Sequence, residues 1–286
     1  MFTVMRAERA RQRFADVRRV AETGSTNADV LALAQLGEPE GIVLVADHQT
    51  AGRGRQHRMW QAPPGSSLLV SVLLRPPPPA VGATTMAMAV AAAEAVEEVA
   101  GFSPGLKWPN DLVVSVANVA PIPGGSDRKL AGILAEADWP PASSPTAISP
   151  GAGWSPPADG QRVAVVVGMG LNVNWPIDLP EELIGTATAL NHVVGHDVDR
   201  EAVLGVLLHR LDRHYADLAT GDPSRVMGHW RRRSATLGRR VRVDLGARDV
   251  VGTAIDVSAD GHLVVEIEGG GRRTFAAGDV VHLRQP

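Results

Sequence analysis

The sequence predicts an α/β domain followed by a small C-terminal β-barrel. Up to about residue 235, β-branched runs typical of buried strands alternate with Ala- and Leu-rich runs of helical length. From Gly238 onward, short segments alternate apolar with polar residues between Gly and Asp turns, which is typical of an SH3-like barrel. We therefore expect a domain over residues 1–235, beginning with a basic arm over 1–16, and a second domain over 236–286.

Composition excludes several classes of protein. Hydrophobic residues make up 44% and charged residues 21% of the 286-residue chain, so disorder of the whole chain is excluded as the default. No apolar run is long enough to cross a membrane, and the N-terminus lacks the apolar core of a secretory signal. Cysteine is absent, which excludes disulfides, Cys–zinc sites and thiol catalysis. This fits a reducing cytoplasm, where we expect the protein to be located.

The first half of the α/β domain contains three predicted strands and two predicted helices. Ser and Thr residues cap the Ala/Leu-rich first helix, and Gly37 ends it. The next two strands are continuous apolar runs, the second closed by four prolines at 76–79, and the second helix is rich in alanine. The predicted strands span residues 17–22, 41–46 and 67–74, and the predicted helices span 28–36 and 84–100.

The second half of this domain is predicted to contain three more strands and two amphipathic helices. Residues 117–127 are predicted to form a loop between two of the strands. The Pro/Gly/Ser-rich segment 139–160 lacks periodicity and is predicted to be a mobile hairpin tip. The predicted strands span 107–116, 129–137 and 162–173, and the helices span 200–218 and 223–234. The five predicted barrel strands span 239–244, 249–257, 262–268, 272–276 and 280–284.

Lysine is rare in this chain, although basic residues are not. Of the 28 basic residues only Lys107 and Lys129 are lysines, and the others are arginines. Where composition favours arginine, a retained lysine indicates a place that needs the compact ammonium, which differs from guanidinium in size and hydration. The alternative is chance survival on a solvated surface.

A glycine- and arginine-rich loop, Gly52-Arg-Gly-Arg-Gln-His-Arg58, follows the second predicted strand. Glycines let backbone amides approach an anion closely, and guanidiniums bind carboxylate and phosphate oxygens in bidentate geometry. Trp60, just after the loop, offers a flat face to a ring system. The sequence thus predicts a site for an anionic ligand, with a solvated or RNA-binding basic loop as the alternative.

Three other groups of polar residues stand at the ends of predicted elements. Ser25-Thr26-Asn27 precedes a helix and exceeds what a cap requires, which favours a polar ligand at this helix end. The segment from Lys107 to Asp111 combines a cation, the Asn110 amide and a carboxylate that suits Mg²⁺, although an exposed ion pair is the alternative. Gly132, after Lys129, allows close backbone approach. If these two strands pair, both lysines can face one pocket.

The last motif, Gly168-Met-Gly-Leu-Asn172, ends a strong predicted strand. It is not a dinucleotide fingerprint, because it lacks the third glycine and no helix follows closely. Asn172 instead presents its amide from a strand end.

In their order along the chain, these motifs resemble those of the biotin protein ligases (biotin–[acetyl-CoA-carboxylase] ligases). The resemblance runs from about residue 17 to the C-terminus. It implies a catalytic domain related to the class II tRNA synthetase core, with a mixed sheet and helices, and an SH3-like C-terminal domain. The motifs that carry it are Ser25-Thr26-Asn27, Gln49-Thr-Ala-Gly-Arg-Gly-Arg55 with Arg58 and Trp60, Lys107-Trp-Pro-Asn-Asp111, Lys129-Leu-Ala-Gly132-Ile and Gly168-Met-Gly-Leu-Asn172.

The resemblance also implies an activity and a set of site residues. Such a ligase joins biotin to ATP as biotinyl-5′-AMP, uses Mg²⁺, and transfers biotin to a lysine of the biotin carboxyl carrier domain of an acyl-CoA carboxylase. The implied biotin-binding residues are Ser25, Thr26, Asn27, Gln49, Arg53, Gly54, Arg55, Lys129 and Gly132. The implied ATP- or adenylate-binding residues are Gly52, Arg58, Trp60, Asn110 and Asn172. Lys129, Arg55 and Lys107 are expected to act on the reacting groups, and Asp111 to hold Mg²⁺.

Three other functions stay open beside this one, the third being a catalytically inactive carrier-binding module, which the intact motif set disfavours. The first is a lipoate or octanoyl ligase on the same architecture, although such enzymes lack the Gly-Arg-Gly-Arg loop and the SH3-like tail. The second is a nucleic-acid-binding protein that uses the Arg-rich arm, which the net charge of −3 and the few aromatic residues disfavour. Only about twenty residues precede the catalytic region, so we expect no DNA-binding domain and no specific DNA. We expect no membrane partner, and a monomer or a weak homodimer.

Overall fold

The computed structural model describes five stretches of the chain. They are residues 13–115, 127–138, 162–245, 249–276 and 278–283. Most of the predicted basic arm and of the two predicted loops therefore lies outside the described residues.

A seven-stranded mixed sheet forms the centre of the larger unit. Its strands are β1 (Asp16–Thr23), β2 (Ile42–Gln49), β3 (Ser67–Leu74), β4 (Gly105–Lys107), β5 (Asp111–Val114), β6 (Arg128–Asp138) and β7 (Ala164–Asn172). Their order across the sheet is β1-β2-β3-β7-β6-β5-β4. β1 pairs with β2 in parallel, and every other neighbouring pair is antiparallel. The central strands β3 and β7 are buried along their whole length, because helices cover both faces there.

Within the described residues, five α-helices pack around this sheet or onto its helices. They are α1 (Thr26–Gln35), α2 (Thr84–Ala100), α3 (Leu190–Val194), α4 (Arg200–Leu218) and α5 (Ser224–Arg233). Because side chains of a strand alternate between faces, Ile42 and Leu44 of β2 pack with Val30 of α1, whereas Val43 and Val45 belong to the core formed with α2. The alanine-rich α2 is buried along most of its length and contacts α4 and α5.

A five-stranded antiparallel sheet forms the C-terminal unit. Its strands are β8 (Arg240–Asp244), β9 (Asp249–Val257), β10 (Leu263–Ile267), β11 (Arg272–Phe275) and β12 (Asp279–His282), in the order β11-β10-β9-β8-β12. Trp108 joins the two units: its indole Nε1 donates to the Gly261 carbonyl (2.9 Å), and its backbone N–H donates to Thr236 Oγ1 (3.0 Å). Since the Trp108 side chain is fully buried, this turn of the larger sheet is anchored on the C-terminal unit.

The predicted fold class is confirmed, and the predicted elements agree with the structure with one exception. The single strand predicted over 107–116 is wrong, because the chain turns over residues 108–110 and forms β4 and β5 instead. Pro109 has no N–H to donate to a ladder, which explains a break at this point. Helix α3 was not predicted; it is too short to show a periodic pattern. Among the described residues, none of the helices is both long and apolar enough to span a membrane.

Candidate functional site

A cavity of about 530 Å³ opens where α1 and strands β2, β5, β6 and β7 meet. Nearly all of the residues that the sequence predicted for a ligand site line it. They are Ser25, Thr26, Asn27, Gln49, Arg53, Gly54, Arg55, Arg58, Trp60, Asn110, Asp111, Lys129, Gly132 and Asn172. The sheet brings them together because they stand at strand ends, at a helix start, or in the loop after β2. Gly52 and Lys107, the other two predicted residues, do not line this cavity.

The floor of the cavity is a pair of glycines under an indole ring. Gly132 of β6 and Gly170 of β7 face each other in register. A Cβ atom added to Gly170 would lie 2.5 Å from Trp60 Nε1, and one added to Gly132 would lie 2.9 Å from Trp60 Cζ3. Only glycine leaves room for the ring at these two positions. Trp60 Nε1 is buried and has no hydrogen-bond partner within the described residues, so it can donate to a ligand.

Lys129 lies at the junction of β5 and β6. Its ammonium Nζ is 2.7 Å from Asp111 Oδ1 and 5.5 Å from the centre of the Trp60 ring. Asp111 of β5 is paired in register with Gly132 of β6, and the Lys129 side chain passes over this glycine. The Asp111 carboxylate therefore lies close to the Lys129 ammonium. The lysine side chain is 36% exposed and the aspartate side chain 22%. The pair therefore puts a half-buried cation on the cavity wall, where it can bind an anionic group.

A cluster of hydroxyl and amide groups forms the inner end of the cavity, at the start of α1. Gln49 Oε1 accepts hydrogen bonds from the backbone N–H (2.7 Å) and the hydroxyl (3.0 Å) of Thr26. Gln49 thus accepts a backbone N–H at the start of α1, as a capping side chain does. Ser25, at the N-cap position, makes no side-chain cap within the described residues. Ser71 of β3 donates to Asn27 Oδ1 (2.6 Å) and lies 2.7 Å from Thr26 Oγ1. The Ser25 hydroxyl is left available to a polar ligand.

The loop from Gly52 to Arg58, called the Gly-Arg loop below, has three arginines whose side chains contact three different parts of the protein. Arg53 Nη2 donates to Glu136 Oε2 (3.1 Å), and Arg58 Nη2 donates to Gln56 Oε1 (3.1 Å). Arg55 is half-buried and extends toward the C-terminal unit, with Nη1 3.5 Å from the Gly278 carbonyl. Burial lowers the pKa of the Arg55 guanidinium; the nearby Asp111 carboxylate opposes this shift, and the Arg58 charge adds to it.

The two predicted asparagines of the cavity wall, Asn110 and Asn172, use their amide nitrogens internally. Asn110 Nδ2 donates to the Ile133 carbonyl (2.7 Å), which holds the β4–β5 turn against β6. Asn172 Nδ2 donates to the Thr188 carbonyl (2.9 Å). Asn172 Oδ1 is buried and has no partner within the part of the chain that the structure describes. It is therefore an acceptor that a ligand amine can satisfy.

Gly52 and Lys107 lie behind the cavity wall. A Cβ atom at Gly52 would be 2.5 Å from the Trp60 carbonyl oxygen, so glycine allows the loop to close on itself. Lys107 ends β4 opposite Asp111. Burial lowers the pKa of the Lys107 ammonium, and the positive charge of Lys129 acts in the same direction, whereas the carboxylates of Asp111 and Asp127 oppose it. Of the two lysines, only Lys129 lines the cavity.

Few protein groups are available here for a metal ion. The described stretches contain no group of three or more His, Asp or Glu residues arranged to hold one. Asp111 is the acidic residue beside Lys129, and one of its oxygens already pairs with that ammonium. This donor set does not suit a metal cage made of protein ligands. It does fit a Mg²⁺ ion that is held mainly by substrate phosphates and one carboxylate.

Sequence comparison gives the family. The family model "Biotin/lipoate A/B protein ligase family" matches residues 20–140, and "Biotin protein ligase C terminal domain" matches residues 236–283. The chain is 38% identical to the biotin–[acetyl-CoA-carboxylase] ligase of Mycobacterium tuberculosis, over 93% of this chain and 88% of that protein. The chain belongs to the biotin protein ligase family. It is also 30% identical to the bifunctional ligase/repressor BirA of Bacillus subtilis, over 88% of this chain and 70% of BirA.

Solved structures agree with this membership of the biotin protein ligase family. The biotin protein ligase from Aquifex aeolicus in complex with biotin and ATP superposes with a TM-score of 0.70 at 26% identity, covering 95% of this chain and 100% of that one. The Leishmania major biotin protein ligase in complex with biotinyl-5-AMP has a TM-score of 0.54 at 20% identity, covering 92% and 99% of the two chains. The second likeness concerns the fold alone.

Proposed function

We propose that this chain is an ATP-dependent ligase that activates biotin as biotinyl-5′-AMP and transfers it to a lysine of the biotin carrier of acetyl-CoA carboxylase. The observation that carries the proposal is the single cavity that gathers the Ser-Thr-Asn, Gly-Arg-Gly-Arg, Asn-Asp, Lys129 and Asn172 groups. Membership of the biotin protein ligase family supports it, as does the likeness to the Aquifex enzyme, which was solved with biotin and ATP.

The inner end of the cavity favours biotin over lipoate. Ser25, Thr26 and Gln49 present hydroxyl and amide groups there. The ureido ring of biotin offers two N–H donors and a carbonyl acceptor, which can pair with such groups. The dithiolane ring of lipoate has neither N–H nor C=O, so it would leave the Ser25 hydroxyl, which makes no cap within the described residues, without a ligand partner. Sites built to bind polar groups reject analogues that lack them, because buried polar groups then stay unpaired.

In the first step, the biotin carboxylate attacks the α-phosphorus of ATP, and pyrophosphate leaves. Two anions must approach each other, so cations have to offset their repulsion. We assign this role to Lys129 and Arg55, with Lys129 on the carboxylate and Arg55 on phosphate oxygens. Trp60 is assigned to border the ligand with its ring, and Asn172 Oδ1 to accept from the adenine amine.

In the second step, the amine of the carrier lysine attacks the biotinyl carbonyl, an amide bond forms, and AMP leaves with the bonding electron pair. No enzyme nucleophile is needed, and the chain contributes by positioning the mixed anhydride. We assign Lys129 and Arg53–Arg55 to this positioning, because they line the same cavity. Lys107 acts from behind the wall through its charge, next to Asp111.

A magnesium ion is part of the proposal. Asp111 would hold it together with phosphate oxygens of ATP, and Asn110 is the neighbouring amide. When bound, Mg²⁺ offsets negative charge on the leaving pyrophosphate. This chain's own residues keep Asp111 in place: Lys129 pairs with it, and the Asn110 amide ties the turn to β6.

The proposal also covers domain organisation and location. We propose a catalytic domain up to residue 235 and a C-terminal domain from 236, which the match of the C-terminal family model to residues 236–283 supports. We propose a cytoplasmic protein that is a monomer or a weak homodimer. The cysteine-free composition supports a reducing compartment.

One assay tests the main proposal. The purified protein is mixed with ATP, Mg²⁺ and either biotin or lipoate, and pyrophosphate release is followed. We expect release with biotin and little with lipoate. Adding a biotin carrier domain should then yield a biotinylated carrier, whereas a carrier whose acceptor lysine is replaced by arginine should stay unmodified. Release with lipoate and none with biotin would overturn the proposal in favour of a lipoate ligase.

A further inference from the structure

A glutamate outside the cavity connects two of its walls. Glu136 of β6 does not line the cavity, but Glu136 Oε2 accepts hydrogen bonds from Asn27 Nδ2 (2.8 Å) and Arg53 Nη2 (3.1 Å). Leu134, two residues earlier, does line the cavity, and residues two apart in a strand share one face of the sheet. The Glu136 carboxylate therefore stands at the outer rim of the same face, between α1 and the Gly-Arg loop.

The contact with Asn27 continues as a chain of hydrogen bonds beneath the cavity. Asn27 Oδ1 accepts from the Ser71 hydroxyl, whose oxygen lies 2.7 Å from Thr26 Oγ1, and the Thr26 backbone N–H donates to Gln49 Oε1. The second Nδ2 hydrogen of Asn27 goes to the Leu134 carbonyl (3.2 Å). Both amide hydrogens of Asn27 and one acceptor position of its oxygen are thus used by the protein, so the amide connects these groups.

Glycine makes this arrangement possible on β7. A Cβ atom on Gly168 would collide with Asn27 Oδ1, so the amide fits only because position 168 lacks a side chain. The Gly168 of the Gly-Met-Gly motif therefore has a reason to be glycine that differs from that of Gly170, which makes room for Trp60.

The two ends of the chain of hydrogen bonds hold the two sides of the Gly-Arg loop. Gln49 ends β2 just before the loop, and Arg53 lies within it. With Glu136, Asn27, Ser71 and Thr26 between them, these contacts link Gln49 to Arg53. We propose that Glu136 is a positioning residue for biotin activation, which fixes Arg53 and Asn27 and so holds the loop and the polar end of the cavity in register.

The kinetic part of this inference rests on the proposed function, whereas the structural part does not. A carboxylate is needed because one oxygen atom accepts from two donors, one of them a guanidinium, and charge-assisted bonds are the stronger ones. Both partners are partly exposed, with side-chain exposures of 44% for Arg53 and 26% for Glu136, so solvent weakens the pair. We therefore expect a moderate effect of substitution rather than loss of the fold.

The test compares Glu136→Ala and Glu136→Gln with the wild type. For Glu136→Ala we expect the KM for biotin to rise about tenfold, with a smaller change in the KM for ATP and in kcat. Glu136→Gln keeps an acceptor for Asn27 but loses the charge that Arg53 contacts. Its KM for biotin should therefore lie between the values of the wild type and of Glu136→Ala. Glu98→Gln, which removes the carboxylate from an exposed pair with Arg210, is the matched control and should behave as wild type.

A second measurement does not need substrate. Hydrogen exchange of the amides of residues 50–60 should be faster in Glu136→Ala than in the wild type, with the rest of the sheet unchanged. Unchanged exchange there together with an unchanged biotin KM would overturn the inference. The inference would also be overturned if both KM values rose to a similar extent while kcat and the melting temperature fell, because such a general change indicates a merely structural role.

Two further outcomes separate this inference from the proposed function. If the wild type releases no pyrophosphate with biotin, the proposed function fails, and the exchange measurement alone decides on Glu136. If Glu136→Ala does not fold, Glu136→Gln carries the test in a double-mutant cycle with Arg53→Gln. The biotin KM of the double variant should then rise less than the product of the two single effects. A rise equal to that product would overturn the inference.

Discussion

Replacing Lys129 by arginine tests whether the cavity needs an ammonium rather than simply a positive charge. Lys129 crosses directly over Gly132, since a Cβ atom at Gly132 would lie 3.1 Å from both Nζ and Cε of the lysine. Asp111, 2.7 Å from Nζ, and the Trp60 ring, 5.5 Å away, bound the remaining space. A planar guanidinium is larger than an ammonium and cannot occupy this position without moving away from its partners.

The size of the effect follows from that displacement. At an effective dielectric constant of about 20, two unit charges attract by about 6 kcal/mol at a separation of 2.7 Å and by about 4 kcal/mol at about 4 Å. If the cation moves from the reacting oxygens by the same distance, about 2 kcal/mol of transition-state stabilisation is lost, which corresponds to about a 30-fold slower reaction. Misorientation of the bound carboxylate adds to this loss, so we expect a decrease of about 30- to 100-fold.

The assay is biotin-dependent pyrophosphate release, with kcat/KM compared between the wild type and Lys129→Arg. The circular dichroism spectrum of Lys129→Arg should match that of the wild type. Its free energy of unfolding should lie within about 1 kcal/mol of the wild-type value, because the charge and most of the side chain are kept. Arg18→Lys, which exchanges the same two residue types in an exposed pair with Asp16, is the control and should be fully active. Wild-type activity of Lys129→Arg would contradict the steric argument and would indicate that Lys129 is retained by chance.

Three further predictions concern packing, the contact between the units, and pH. Gly170→Ala places a Cβ atom 2.5 Å from Trp60 Nε1, so the indole must leave the floor; we expect a loss of about 1–3 kcal/mol in urea denaturation and a shifted Trp fluorescence. Trp108→Phe removes the 2.9 Å hydrogen bond to the C-terminal unit and should lower the unfolding free energy by about 1–2 kcal/mol, measured in the same way. Burial lowers the pKa of His282 from 6.5, so the folded state binds protons less readily than the unfolded state, and stability should fall as the pH drops through 6.5. The hydrogen bond from His282 lowers the pKa of Asp127 from 3.8, so this contribution is present above pH 3.8 and is lost below it; urea titrations of His282→Gln should show both dependences weakened.

Controls for these three predictions use the same measurements. Gly205→Ala in α4, where nothing lies within 4 Å of the added Cβ, should be neutral or slightly stabilising. A Gly170→Ala variant as stable as the wild type would contradict the fit of Trp60 against the floor. For Trp108→Phe, an unchanged unfolding free energy would show that the hydrogen bond to Gly261 contributes nothing net. For His282→Gln, the same pH dependence as in the wild type would assign the titration to other groups.

Local sequence patterns were enough to predict most of the elements, and nearly all of the residues that these patterns predicted for a ligand site line the cavity. Strand and helix periodicity located β3, β7 and α2, because each of them is a long apolar run whose burial follows from its own composition. Ser71 was missed because it is one serine inside an apolar strand, and Glu136 because it is one acid near a strand end. Their role depends on partners that are far away in the sequence: Glu136 and Arg53 are 83 positions apart.

The fold class and the anion-binding character of the site can be predicted from the amino-acid sequence alone. The alternation of apolar runs predicts the two units, and the grouped glycines, arginines, amides and rare lysines predict an anion-binding site. The tertiary structure alone decided which lysine lines the cavity, why Gly168 and Gly170 are glycines, and that Gln49 rather than Ser25 serves the start of α1. The physical reason is that patterns along a chain describe neighbours in sequence. These roles depend instead on strand register and on which side of the sheet each side chain points to, and both are settled only when distant segments pack together.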